Sequence, residues 1–140
     1  MLLAIAVLIA FAECAQQPED CSRFDRQKDF AVLAKQIGGL TLKCSLVLKS
    51  AEKLQRGNGD YLYSRRSIVP GTISDNGHFK DLIGQMPKSE IKNGNYSYYG
   101  CSWRRHVHAI DISYKVYFEG IAACIFRRNY TIVVCGVPTQ

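Results

Sequence analysis

The chain has 140 residues, enough for one hydrophobic core and too few to leave much for a second domain. Its formal net charge is +6 and it contains six cysteines, of which no two stand in a CxxC spacing, so a zinc or redox motif of that type is excluded. A basic balance suits polyanions such as nucleic acid or anionic headgroups without selecting one of them.

Residues 1–14, MLLAIAVLIAFAEC, are apolar over a length too short to span a bilayer and about right for the hydrophobic region of a signal peptide. A cut near Cys14 places Ala12 at the −3 position, leaves a single secreted domain at 15–140 with no stable membrane anchor, and removes Glu13, raising the net charge from +6 to about +7. Five cysteines then remain: Cys21, Cys44, Cys101, Cys124 and Cys135. Joining the start of the domain to its end pairs Cys21 with Cys135, a bridge around more than a hundred residues that stabilises by roughly 4–5 kcal/mol on the loop-entropy account. Cys44 with Cys101 or with Cys124 is the second candidate pair, and the sequence does not choose. Asn95-Tyr96-Ser97 and Asn129-Tyr130-Thr131 are glycosylation sequons of the kind a secreted chain carries.

In chain order, Phe30, Leu33, Ile37 and Leu40 recur at three- and four-residue steps and predict an amphipathic helix at about 24–38. Gly38-Gly39 ends it. Leu42, Cys44, Leu46 and Leu48 then alternate with polar residues as a strand does, a continued helix remaining open. Gly57-Asn58-Gly59-Asp60 predicts a tight turn into a strand that stops at Pro70-Gly71. Phe79 to Met86 reads as a short strand, and KSEIKNGN as a surface loop. Ile110, Ile112, Tyr114, Val116 and Phe118 alternate against Asp111, Ser113, Lys115, Tyr117 and Glu119, which predicts a half-buried antiparallel strand. Gly120 closes that strand, Ile121 to Phe126 returns, and Tyr130 to Cys135 completes a meander. The class is α+β, one N-terminal helix packed on a twisted antiparallel sheet.

Three histidines are available for chemistry. His106 and His108 fall on one face of a strand, where two imidazoles could share a metal or act as acid and base, although such a pair is more often a solvated surface feature. Trp103, Arg104 and Arg105, close to Tyr96, Tyr98 and Tyr99, combine the side chains that neutralise phosphate and stack on bases; the plainer reading has these aromatics filling a sheet edge. The sequence holds no GxSxG, HExxH, P-loop or GxGxxG, and its acids are scattered.

The order of early helix, second cysteine and terminal meander resembles the RNase-like secreted effector candidates of powdery mildew fungi, which derive from small guanyl-specific fungal ribonucleases. The residues that carry the likeness are Tyr114 to Phe118, Ile121 to Phe126 and Ile132-Val133-Val134-Cys135, with Gln85-Met86-Pro87 and Tyr96 to Gly100 as a looser upstream match. The resemblance implies a microbial ribonuclease-like fold, a monomer, no cofactor and no metal. It also implies delivery to a host plant and possible translocation into its cells, where a host protein, RNA or an immune receptor is the partner.

Active members of that group use a glutamate base, a histidine acid and an arginine, the logic that transfer to a 2′-hydroxyl demands. Here Gln85 and Lys115 stand at the matching glutamate and arginine positions, and 121–135 holds no histidine. Glutamine does not accept a proton at neutral pH, and lysine lacks the bidentate fork of arginine. The expectation is a catalytically inactive ribonuclease-like effector with no catalytic residues, whose RNA contacts, if made, come from Trp103, Arg104, Arg105 and Lys115. The alternatives are an active secreted ribonuclease built on His78, His106 or His108, and a cytokine-like or inhibitor protein with a different disulfide pattern.

Overall fold

The computed structural model describes residues 20–52, 59–108 and 116–129. Four helices and four strands follow one another in these segments. They are α1 (Gln27–Ile37), β1 (Thr41–Leu42), α2 (Cys44–Glu52), β2 (Asp60–Pro70), α3 (Asp75–Gly84), α4 (Lys88–Asn93), β3 (Tyr98–His108) and β4 (Tyr117–Arg127). The strands form one sheet in the order β1-β3-β4-β2. β4 pairs antiparallel with both β2 and β3, whereas β1 pairs parallel with the start of β3. The class is α+β as expected, but among the described residues the sheet is mixed rather than antiparallel and there are four helices rather than one.

Helix α1 lies inside the span its periodicity predicts, and it buries Gln27, Phe30, Leu33, Ala34 and Ile37 along one stripe. These side chains meet Phe79 and Leu82 of α3, Ile91 of α4 and the sheet residues Tyr63, Tyr99, Trp103, Cys124 and Phe126 in one continuous core. Full burial of each large apolar side chain contributes about 1.5–3 kcal/mol. Phe30 and Phe79 meet edge to face at 5.2 Å, and the Tyr63 hydroxyl donates to the Leu82 carbonyl, tying β2 to the end of α3.

The opposite face of the sheet carries α2. A Cβ at Gly100 would run into the backbone of Leu46 and Val47, so the missing side chain is what lets this helix lie directly on β3. The alternation through Leu42, Cys44, Leu46 and Leu48 therefore predicts the wrong element after Leu42. Leu46, Val47 and Ser50 are the buried positions, at the one- and four-residue steps of a helix.

Two further corrections concern 72–100. Phe79 to Met86 is not a strand: Ser74 caps a helix there, its hydroxyl accepting from the Gly77 amide at 3.0 Å. The first six residues of KSEIKNGN form α4, held to the core by Ile91, and only Gly94 and Asn95 lie in a turn. Gly120 closes no strand, because β4 runs unbroken through it. The predicted strand from Ile110 and the return from Tyr130 to Cys135 fall largely outside the described residues, as do the expected signal peptide at 1–14 and Lys115.

Cys21 is bonded to Cys44, and Cys101 to Cys124. The expected Cys21–Cys135 bridge is thereby corrected, as is a Cys44 link to either sheet cysteine. Register explains the second bond, since Cys101 and Cys124 stand directly opposite each other on β3 and β4 with Cα atoms 4.0 Å apart. The first ties the chain entering α1 to the first residue of α2, with Cα atoms 5.6 Å apart. Two disulfides are compatible with a secreted protein. Among the described residues no helix is long and apolar enough to cross a membrane.

Candidate functional site

The sheet alternation sends neighbouring residues of β3 to opposite faces, and this separates the side chains that stand together in the sequence. Trp103 points into the core beneath α3. Only 5% of it is exposed, and its ring meets His78 at 5.6 Å and Phe79 at 5.2 Å, edge to face in both cases. It is not available to stack on a base, which corrects its expected place in an RNA surface. His78 is equally enclosed: it is buried on α3, and its Nε2 lies 2.6 Å from Ser67 Oγ in a hydrogen bond. Gly120 sits under both rings, where a Cβ would collide with each.

Arg105 shares the Trp103 face but lies at its margin. Its guanidinium stacks 4.3 Å from the Phe118 ring and places Nη1 3.3 Å from Asp75 Oδ1. Arg26 approaches the same carboxylate with Nη2 2.8 Å from Oδ2, while its Nη1 donates to Asn76 Oδ1 at 3.0 Å. Burial pushes the Asp75 carboxyl up, but the hydrogen bonds from Arg26 and Arg105 outweigh it and hold the group below its usual 3.8. Burial opposes charge on Arg26 as well, and the Asp75 and Asp29 contacts prevail to raise it. Arg105 is thus engaged in fastening α3 to the sheet.

The other face has a different character beyond the end of α2. Its register rows across β2, β4 and β3 read Arg66, Ile121, Arg104 and then Ile68, Glu119, His106; His108 stands opposite Tyr117 in the next row. Strands are spaced by about 4.8 Å, so the two arginine backbones flank Ile121 roughly 10 Å apart. Arg66 pairs its Nε with Glu119 Oε1 and keeps 60% of its side chain exposed, whereas Glu119 is 6% exposed on the central strand. Arg104 donates through Nη2 to the Ala51 carbonyl in the last turn of α2 and is itself exposed, as is His106. His106 stands directly across from Glu119, and Cβ atoms in such pairs are about 4.5–5.5 Å apart.

This face collects two guanidiniums, an imidazole and a carboxylate in two adjacent rows. Chemically it can hold an anion against the arginines, and it places a titratable imidazole beside a carboxylate. Among the described residues no cluster of histidine, cysteine or acidic side chains is arranged to bind a metal.

Of the residues singled out in the sequence, Arg104 and His106 belong to this face, Arg105 and Trp103 to the opposite one, and Lys115 lies outside the described residues. Sequence reasoning missed Arg66, which becomes a neighbour of Glu119 only through the pairing of β2 with β4. Glu119 itself falls on the polar side of its predicted strand, which was the available signal. Gln85, matched to a catalytic glutamate by the resemblance, is the cap residue that ends α3, and it is followed by the core residue Met86. No protein-family model, curated protein or solved structure matches the chain.

Proposed function

We propose that this is a secreted protein that binds a phosphate-bearing polymer, RNA first among them, on the sheet face holding Arg66, Arg104 and His106. The observation that carries the reading is that three exposed basic side chains from two different strands occupy adjacent register rows of one face, on a chain of net charge +6. Catalysis is not part of it, since the only carboxylate in those rows, Glu119, is buried and paired with Arg66. The wider role as a powdery-mildew-type ribonuclease-like effector, acting inside a plant cell on RNA or a host protein and exposed to immune recognition there, rests on the resemblance of sequence order alone.

Fluorescence anisotropy with a single-stranded RNA tests the binding face. Arg66→Ala and Arg104→Ala should each weaken binding uniformly across RNA sequences, while Lys35→Ala on the exposed side of α1 should leave it unchanged. Equal affinity in all four proteins contradicts the reading.

One observation favours a second reading, an active ribonuclease: His106 stands directly opposite Glu119, so an acid and a base would share one row. Turnover of RNA by the refolded protein that disappears in both His106→Ala and Glu119→Gln would establish it. No turnover leaves the binding reading in place.

A further inference from the structure

The acceptor asparagines of both glycosylation sequons fall in described segments, and the fold brings them to one end of the molecule although 34 positions separate them in the chain. Asn95 follows α4 in a turn, exposed, with φ of 53°, a left-handed conformation that asparagine tolerates better than most residues. Asn129 lies just past β4, also exposed. The two segments are joined by direct contacts. The Ser97 amide donates to the Arg127 carbonyl at 2.9 Å, and Arg128 Nε donates to the Gly94 carbonyl at 2.8 Å with its guanidinium 5.1 Å from the Tyr96 ring. A single arginine side chain therefore spans the gap between the residues flanking the two asparagines.

We infer that Asn95 and Asn129 are a pair of N-linked glycosylation sites that cover this end of the sheet. Placement supports the assignment beyond the motif itself. A glycan is bulky and needs an exposed acceptor outside a helix or strand, and both asparagines meet that need. Beneath them Tyr61, Tyr96 and Phe126 form an aromatic group with ring separations of 6.1–6.4 Å, an apolar sheet end that an adjoining sugar layer would shield. The proposed binding rows lie at the other end of β4. Glu119 and Arg127 are eight residues apart along that strand, about 26 Å at the rise of an extended chain, so glycans at this end leave the basic face open. The inference depends on entry into the secretory pathway and is independent of whether the basic face binds RNA.

The test is expression of the full chain with its own leader in insect cells, followed by peptide-N-glycosidase treatment in heavy-oxygen water and peptide mass mapping. The expected result is two occupied sites in the secreted protein, with Asn95→Gln and Asn129→Gln each removing one glycan. Ser97→Ala and Thr131→Ala should remove the same two through the acceptor hydroxyl, which guards against a folding defect in either asparagine variant. RNA affinity should be equal before and after the glycans are removed. Secreted protein unmodified at both asparagines, or chain retained in the cytosol, overturns the inference; occupancy of one site only overturns the pairing.

Discussion

Gly120 shows how one missing side chain can position three others. The His78 and Trp103 rings both occupy the space a Cβ would take, while Ser67 stands across the strand pair and bonds to His78. Gly120→Ala should therefore destabilise by about 1–3 kcal/mol, as overpacking of a close-packed core does. Urea unfolding checks this, and Gly84→Ala is the control, because nothing lies within 4 Å of its Cβ position. Asp75 works through charge. Its carboxyl is held below 3.8 in the folded chain, so the stability it adds is present above that value and is lost as pH falls below it toward the folded-state value. Thermal unfolding of Asp75→Asn should accordingly show a shallower fall in stability below about pH 4 than the unsubstituted protein, and parallel curves would contradict the arginine clamp.

Among the elements, α1 was legible in the sequence because local periodicity and burial agree there, and β2 because turn residues bound it. Phe30, Leu33 and Ile37 form the buried stripe of a helix, and β2 is bounded by a glycine turn and Pro70. The segments misread share one property, in that their apolar spacing admits more than one period. Phe79, Leu82, Ile83 and Met86 form a short apolar piece before Pro87 at the three-, four- and seven-residue steps of a helix, and the Ser74 cap and the packing in the core agree with that period. Likewise, Leu42, Cys44, Leu46 and Leu48 satisfy strand alternation locally, and Gly100 on a distant strand makes room for a helix that buries Leu46 and Val47 together. Arg104 and His106 of the candidate site could be read from β3 alone, whereas Arg66 and Glu119 needed the register of β4 with both neighbours. The disulfides belong to the same scale. Each closes a loop with a sequence separation of 23, and removing either should cost roughly 3 kcal/mol on the loop-entropy account. Non-reducing peptide mapping should recover Cys21 linked to Cys44 and Cys101 linked to Cys124, and any other partner for these four contradicts the topology.

For the molecule as a whole, the two sheet faces differ in what covers them. One is closed by α1, α3 and α4 over an aromatic core, and at its margin Arg105 is engaged with Asp75 and Phe118 while Arg65 lies over the Tyr63 ring. The other is covered by α2 toward Gly100 and presents Arg66, Arg104 and His106 beyond it. Phosphate contacts release counterions, so binding through this face must weaken as salt rises, with a slope of about −0.7 per contact for a single strand. The most direct measurement is the dependence of single-stranded RNA affinity on salt concentration for the unsubstituted protein and for the Arg66→Ala, Arg104→Ala double variant. The account predicts a steep slope that becomes shallower by roughly 1.4 in the double variant. A slope near zero, or one unchanged by loss of both arginines, would contradict it.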